Sequence, residues 1–145
     1  MIFSEKDPYQ LRRFVVAQRV HYKTALREIR SGRKTGHWIW YMYPQLACLG
    51  RSQTAIHYGI RDLGEARAYW QHPVLGVHLR ESAQALLQVE GRTATQILGQ
   101  IDQMKVRSCM TLFCYAAPEE PLFRQVLEKY YAGEEDPLTA AALGH

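Results

Sequence analysis

Residues 37–46 constrain the fold more than any other stretch of this chain. Four of these ten residues are aromatic, and they include two of the three tryptophans in the protein. A segment this apolar and bulky is stable only when it is removed from water. We therefore expect it to form a central core element, the lining of a pocket, or both.

We call residues 37–45, which contain all four of these aromatic residues, the aromatic stretch. Its backbone is predicted to form a short helix. Aromatic side chains favour strands, but no partner strand is recognisable elsewhere in the sequence. Pro44 disfavours helical backbone at Tyr43, so the helix is expected to end there. In a helix Trp38 and Trp40 would point about 200° apart, which assigns at least one of them to the core. In a strand both would face the same side.

Most of the remaining sequence alternates between apolar residues at helical spacing and residues that begin or end helices. The N-cap candidates are Ser52, Asp62, Thr93 and Asp136. With 145 residues, the chain has the length of one domain. The pattern predicts an all-α fold, a single compact domain over residues 1–145 with about seven to eight short-to-medium helices.

Three helix boundaries are predicted from single residues. Asp7-Pro8 is the expected start of the first helix, because Asp is a good N-cap and Pro fits the first helical position. A second helix over residues 21–30 is expected to end at Gly32. Asp102 is expected to cap a helix over residues 103–116.

The charge of the chain is divided unevenly along its length. Residues 1–61 contain 11 Lys/Arg and 3 Asp/Glu, whereas residues 62–145 contain 7 and 11. A basic half attracts phosphate groups, nucleic acid or an acidic protein, although the same cations also suit the solvated faces of amphipathic helices. The absence of an RNA-binding or helix-turn-helix signature disfavours nucleic acid.

The sequence predicts a cytoplasmic protein that does not enter a membrane. Its first residues lack the basic head and apolar run of a signal peptide, and no apolar run approaches membrane-spanning length. Cys48, Cys109 and Cys114 are odd in number and lack CxxC spacing, so we expect buried, inert thiols.

A larger set of residues, spread over nearly the whole chain, resembles a known family. They are Asp7-Pro8-Tyr9, Gly32 with Lys34, His37-Trp38-Ile39-Trp40, Pro44-Gln45-Leu46, Leu49-Gly50, Tyr58-Gly59-Ile60, His72-Pro73, and Lys105 with Ser108-Cys109-Met110-Thr111-Leu112-Phe113. Together they are similar to the bacterial "domain of unknown function 1810" family. The resemblance implies a single all-helical domain. It brings no known activity, cofactor or catalytic residue with it.

The aromatic stretch also supplies the first candidate site residues. His37 lies between a basic loop and an apolar wall, where an imidazole is suited to act as an acid or a base; the alternative is a histidine whose ring is satisfied by backbone. Trp38 and Trp40 are candidates for stacking a planar ligand. Core packing is the alternative for either indole.

Further along the chain, polar residues are spaced to hold an anion. Lys105 and Ser108 are three residues apart on a predicted helix and share a face, and Thr111 follows one turn later. They are candidates for a phosphate or carboxylate site, or for a structural ion pair. Arg51 and Ser52 precede a predicted helix, whose N-terminal amides also suit an anion, although Ser52 is equally an ordinary N-cap.

Several kinds of site are absent from the sequence. No metal-ligand spacing, glycine-rich phosphate loop or G-x-S-x-G nucleophile motif is present. Two hypotheses remain. The first is a domain that binds a small anionic or phosphorylated ligand beside the aromatic stretch. If the domain is an enzyme, that ligand is its substrate. The second is a non-enzymatic protein-interaction module whose basic N-terminal half meets an acidic partner.

Overall fold

The structure, a computed structural model, describes residues 7–145. Within this range the chain forms nine α-helices and a 3-10 turn at Ala47–Leu49. The helices are Arg12–Arg30 (α1), Ile39–Met42 (α2), Gln53–His57 (α3), Leu63–Gln71 (α4), Leu75–Gln88 (α5), Ala94–Leu98 (α6), Gln100–Ala116 (α7), Leu122–Tyr131 (α8) and Pro137–Ala142 (α9). The all-α prediction is confirmed. The described range contains nine helices rather than the expected seven to eight, and four of them (α2, α3, α6 and α9) are only four to six residues long.

Helix α7 occupies the centre of the molecule. It packs against α4, α6, α8 and α9, while α1 packs against α5 and α2. Its buried residues run through most of its length, including Val106, Cys109, Leu112 and Phe113. Between residues 7 and 145 the only β-type pairing is an isolated parallel bridge between Leu46 and Ile60. No described helix has the length and apolarity needed to cross a bilayer.

The predicted start of the first helix is wrong. Helix α1 begins at Arg12, and residues 21–30 continue it rather than forming a second helix. Asp7 is still a capping residue, because its carboxylate accepts from the backbone N–H groups of Leu11 (2.7 Å) and Arg12 (3.2 Å). The intervening chain turns through Gln10, which has a φ of 56°, so a continuous helix from Pro8 does not form.

Most other predicted boundaries are confirmed. Side chains of Ser52, Asp62, Thr93 and Asp136 cap α3, α4, α6 and α9. Gly32, with a φ of 81°, follows α1 in the left-handed conformation expected for a residue after a helix end. Asp102 is the exception: α7 begins earlier, after Gly99, and Asp102 lies in its first turn without capping it.

The aromatic stretch forms the short helix predicted for it, α2, which ends before Pro44. Trp38 is buried, whereas Trp40 is only partly buried, so the two indoles face different surroundings. The Trp38 indole N–H donates to Glu28 Oε1 (2.9 Å), and the same oxygen accepts from the backbone N–H groups of Thr35 and Gly36 (2.8 Å each). A carboxylate at the end of α1 therefore fixes the loop that leads into the aromatic stretch.

Candidate functional site

A cleft of about 300 Å³ opens where the end of the aromatic stretch meets α7 and the last turn before α9. We call it the α7 cleft. It is lined by Gln45, Leu49, Ile101, Gln103, Met104, Lys105, Arg107, Ser108, Tyr131, Asp136 and Leu138. Two of the residues singled out from the sequence, Lys105 and Ser108, therefore share a cavity next to Gln45. The volume is at the lower end of the range for small-molecule pockets.

Lys105 belongs to a cluster of two ammonium groups around one carboxylate. Asp102 Oδ2 lies 2.8 Å from the Lys34 ammonium, and Asp102 Oδ1 lies 3.4 Å from the Lys105 ammonium. The Lys34 side chain is 8% exposed and that of Lys105 is 23% exposed. Asp102 is thus held mainly by Lys34, which leaves Lys105 as the more loosely paired and more accessible cation.

Trp40 forms the floor beneath this cation. The Lys105 ammonium lies 4.7 Å from the centre of a Trp40 ring, within the range of a cation–π contact. Trp40, together with Gln45 in the lining, thus connects the aromatic stretch to the α7 cleft. Trp40 is not among the residues that line the cavity itself. Its part in the site is to hold the Lys105 side chain in place.

Ser108 and Thr111 connect α7 to the start of α9 through Asp136. The Ser108 hydroxyl lies 3.1 Å from both the Met104 carbonyl oxygen and Asp136 Oδ2. The Thr111 hydroxyl donates to the Arg107 carbonyl (2.8 Å) and accepts from the Asp136 N–H (2.8 Å). Thr111 is fully buried, so it supports the wall behind the cleft, and Ser108 is the one of the pair that lines it.

Arg107 and Asp136 also line the α7 cleft, although the sequence did not predict either of them as a site residue. The Arg107 guanidinium donates to the backbone carbonyls of Glu134 (3.0 Å) and Glu135 (2.7 Å) and lies 3.6 Å from the Glu134 carboxylate. Arg107 and Lys105 point about 200° apart around α7, so helical spacing alone does not predict that they line the same cavity. The C-terminal segment that brings them to one cavity is a long-range contact that the sequence pattern does not reveal.

The rim of the cleft is unusually apolar for a solvent-exposed surface. Ile101, Met104 and Leu138 are 72%, 63% and 68% exposed. Among residues 7–145 eight large hydrophobic side chains are exposed, and these three surround one cavity. Clustered exposed apolar side chains are typical of binding sites, whereas isolated ones are ordinary.

The other candidates of the aromatic stretch lie elsewhere. His37 is exposed, and its backbone carbonyl is 3.5 Å from the Tyr41 hydroxyl. Trp38 is 2% exposed, with its indole N–H already donated to Glu28. Neither residue lines the α7 cleft. Trp40, by contrast, contacts Lys105 in the cleft wall.

Arg51 and Ser52 are also separate from the cleft. The Ser52 hydroxyl accepts from the Ala55 N–H (3.1 Å) and so acts as the N-cap of α3. Arg51 is exposed and makes no ion pair with any residue of the described range. The structure therefore does not bring these two residues together with Lys105 and Ser108.

The side chain of Gln18 connects α1 to α5 and to the aromatic stretch through hydrogen bonds. The buried Gln18 amide nitrogen donates to the Tyr41 carbonyl (2.6 Å) and to the Tyr69 hydroxyl (2.9 Å). The Gln18 amide oxygen lies 2.7 Å from His78 Nδ1. Because an amide oxygen can only accept, His78 must carry its proton on Nδ1 to form this hydrogen bond. Burial lowers the pKa of His78, and Tyr22 stacks on the ring with centroids 3.6 Å apart.

The cysteines differ in exposure. Burial raises the pKa of the Cys109 thiol well above its usual range and that of Cys114 to about 11. Both are therefore weak nucleophiles at neutral pH. Cys48 is exposed and Cys114 is only partly buried, contrary to the expectation that all three would be buried. Within residues 7–145, no group of three or more His, Cys, Asp or Glu side chains is arranged to hold a metal ion.

Comparison with known proteins agrees with the resemblance seen in the sequence. The family model described as "Protein of unknown function (DUF1810)" matches residues 8–143. The chain belongs to this family. No curated protein matches it.

A solved structure supports the DUF1810 assignment at the level of the fold. This chain is similar to the crystal structure of a conserved hypothetical protein from Mycobacterium tuberculosis, with 46% sequence identity and a TM-score of 0.94. The match covers 96% of this chain and 99% of the mycobacterial chain. Neither the description of the family nor that of the mycobacterial protein names a ligand or a reaction for this DUF1810 fold.

Proposed function

We propose that this domain binds a small molecule with an apolar body and a single anionic group, and that the α7 cleft is the binding site. The observation that carries the proposal is the combination of three exposed hydrophobic side chains and an accessible ammonium group around one cavity. An apolar wall with a few placed polar groups is the usual composition of a ligand pocket.

The apolar part of the ligand would rest on Ile101, Met104 and Leu138. These side chains come from the first turns of α7 and from α9, so they face the cavity from two elements. Covering them removes apolar surface from water, which favours binding by about 25 cal/mol per Å² before the costs of association. Met104 is well suited to this role because its unbranched thioether adapts to different shapes.

The anionic group would lie against Lys105. Its ammonium is 3.4 Å from Asp102, farther than the 2.8 Å that separates Lys34 from the same carboxylate. A ligand anion can therefore approach Lys105 without leaving Asp102 unpaired. The Ser108 hydroxyl, one turn along the same face, already donates towards the Met104 carbonyl and Asp136 Oδ2, so the anion would rely on Lys105.

The charges around the cavity favour one negative charge over two. Three cations, Lys34, Lys105 and Arg107, are matched by three acids, Asp102, Glu134 and Asp136. Asp136 lines the cavity directly and would repel a second negative charge. A carboxylate fits this arrangement better than the phosphorylated ligand considered from the sequence.

The test compares three ligands with one chain length: octanoate, octanamide and octyl phosphate. Binding is measured by isothermal titration calorimetry and thermal shift. We expect octanoate to bind about tenfold more tightly than octanamide, because a charge-assisted hydrogen bond at a partly buried site contributes roughly 1.5 kcal/mol. We expect octyl phosphate to bind no more tightly than octanoate.

Two substitutions separate the two parts of the site. Lys105→Met should remove the preference for octanoate over octanamide, whereas Met104→Ser should weaken both ligands and keep that preference. Lys23→Met, the same change on the exposed side of α1, serves as the control and should alter neither. The proposal is wrong if none of the three ligands binds, or if Lys105→Met leaves the preference for octanoate intact.

A further inference from the structure

The outer face of α1 is a surface that the proposed ligand site does not use. Helix α1 carries six Lys/Arg residues and one acidic residue, Glu28. Glu28 is occupied by the loop before the aromatic stretch. The helix therefore presents a strong positive charge with no acid of its own on the exposed side.

From Val16 onward, six exposed residues form a continuous stripe along this helix. At about 100° per residue, they occupy a band roughly 100° wide on the side opposite the buried Phe14 and Ala25. We call this band the outer face of α1, and its members are Val16, Arg19, Val20, Lys23, Arg27 and Arg30. None of its four cations forms an ion pair with another residue of the described range.

Two valines lie within this basic band. Val16 is 45% exposed and Val20 is 72% exposed. They are four residues apart and so adjoin each other on the helix surface. An apolar pair flanked by cations is the complement of a partner helix that carries apolar residues at helical spacing with acidic residues beside them.

The valines also discriminate between classes of anionic partner. A nucleic acid would pair with the cations alone and would gain little from covering two aliphatic side chains, since its recognition relies on phosphate contacts and aromatic stacking. A membrane surface is bound by helices whose apolar face carries bulkier Trp, Phe or Leu side chains. The outer face of α1 offers only valines.

We propose that the outer face of α1 is a docking surface for an acidic amphipathic helix of another protein. Val16 and Val20 would pack against the apolar stripe of that helix. Arg19, Lys23, Arg27 and Arg30 would flank its acidic residues. Because the cations are exposed, the interaction should weaken as salt is raised.

The test selects binders from a phage-displayed library of helical peptides. The library fixes leucines at helical spacing and varies the flanking positions among Glu, Lys and Ser. We expect Glu to be enriched at those positions. The enriched peptide is then synthesised with a fluorescein label, and its affinity is measured by fluorescence anisotropy at low and high salt.

Matched variants assign the binding to this surface. Val20→Ser and the double reversal Arg27→Glu with Arg30→Glu should each weaken the enriched peptide at least about tenfold. The control is Arg51→Glu with Arg67→Glu, which reverses the same number of exposed charges elsewhere and should change affinity by less than about threefold. Circular dichroism checks that every variant is folded.

Four results would overturn the proposal. The first is no enrichment of Glu over Lys and Ser. The second is an enriched peptide whose affinity is unchanged by Val20→Ser. The third is a single-stranded oligonucleotide that binds more tightly than the peptide and is indifferent to Val20→Ser. The fourth is a concentration-dependent dimer that the Arg27 and Arg30 reversals abolish, which would assign the face to self-association.

Discussion

Removal of the Glu28 carboxylate is expected to loosen the entry to the aromatic stretch and to lower the free energy of unfolding. The perturbation is Glu28→Ala. One oxygen of this side chain accepts from the N–H groups of Thr35 and Gly36 and from the Trp38 indole. Thr35 is exposed, so water replaces its bond at little cost. The loss therefore comes from Gly36 and Trp38.

The expected magnitude follows from those two bonds. A hydrogen bond to a charged group contributes about 1.5–3 kcal/mol, and both donors are partly shielded. Two such bonds sum to about 3–6 kcal/mol, and the partial access of water to this site reduces the expected cost of Glu28→Ala to about 2–4 kcal/mol. Glu28→Gln keeps an acceptor in place and removes only the charge, so it should cost about 1 kcal/mol.

The same site predicts a dependence of stability on pH. Burial alone would raise the pKa of Glu28, but the hydrogen bonds from Gly36, Thr35 and Trp38 outweigh burial and lower the pKa from 4.5 to about 2. A lowered carboxylate pKa means that the stabilisation is complete above about pH 4.5 and is lost as pH falls toward 2. After allowance for solvent screening, about 1–2 kcal/mol should disappear over that interval.

Urea denaturation followed by circular dichroism at neutral and acidic pH measures both effects. The control is Glu90→Ala, because Glu90 is exposed and makes no side-chain hydrogen bond or ion pair within the described range. The reasoning would be refuted if Glu28→Ala were no more destabilising than Glu90→Ala. It would also be refuted if the difference between wild type and Glu28→Ala did not shrink on acidification.

Two further predictions concern close packing and the support of the cleft. Gly76→Ala should cost more than about 2 kcal/mol of unfolding free energy, because a Cβ there would lie 2.1 Å from the Trp70 backbone oxygen. In the same urea titration Gly64→Ala should cost less than 1 kcal/mol, since its nearest neighbour is the movable Tyr9 hydroxyl; equal costs would contradict this. Asp136→Ala should cost about 1–2 kcal/mol through loss of the α9 cap. A double-mutant cycle with Ser108→Ala should give a coupling of about 0.5–1 kcal/mol, and additive losses would show that the two side chains do not interact.

Helix caps were predictable because each depends on a few adjacent residues. The Ser52 hydroxyl and the Asp62 and Asp136 carboxylates accept from N–H groups three positions ahead, which is a property of local geometry. The shared face of Lys105 and Ser108 was predictable for the same reason, since helical period alone places them together.

The partners of these residues were not predictable, because they come from distant parts of the chain. Lys34 pairs with Asp102 across 68 positions of sequence. Local sequence therefore predicts Asp102 to be a cap, whereas in the structure its carboxylate pairs with two ammonium groups. The position of Asp136 against Ser108 likewise depends on how α8 returns the chain to α7. Periodicity describes one helix at a time and carries no information about which helices meet.

The Lys34–Asp102–Lys105 cluster explains why the aromatic stretch and the α7 cleft belong to one arrangement. Glu28 fixes the loop that ends at Trp38, and Lys34 lies in that loop with its ammonium against Asp102. Because Lys34 supplies most of the charge that Asp102 needs, Lys105 is left only loosely paired at the cavity. Asp102 is a partly buried carboxylate with one closer and one more loosely held cation, so it stays paired even if Lys105 turns towards the ligand that we propose. The bulky residues after Gly36 thus do more than fill the core, since Trp40 lies against the Lys105 ammonium that we propose as the anion-binding group.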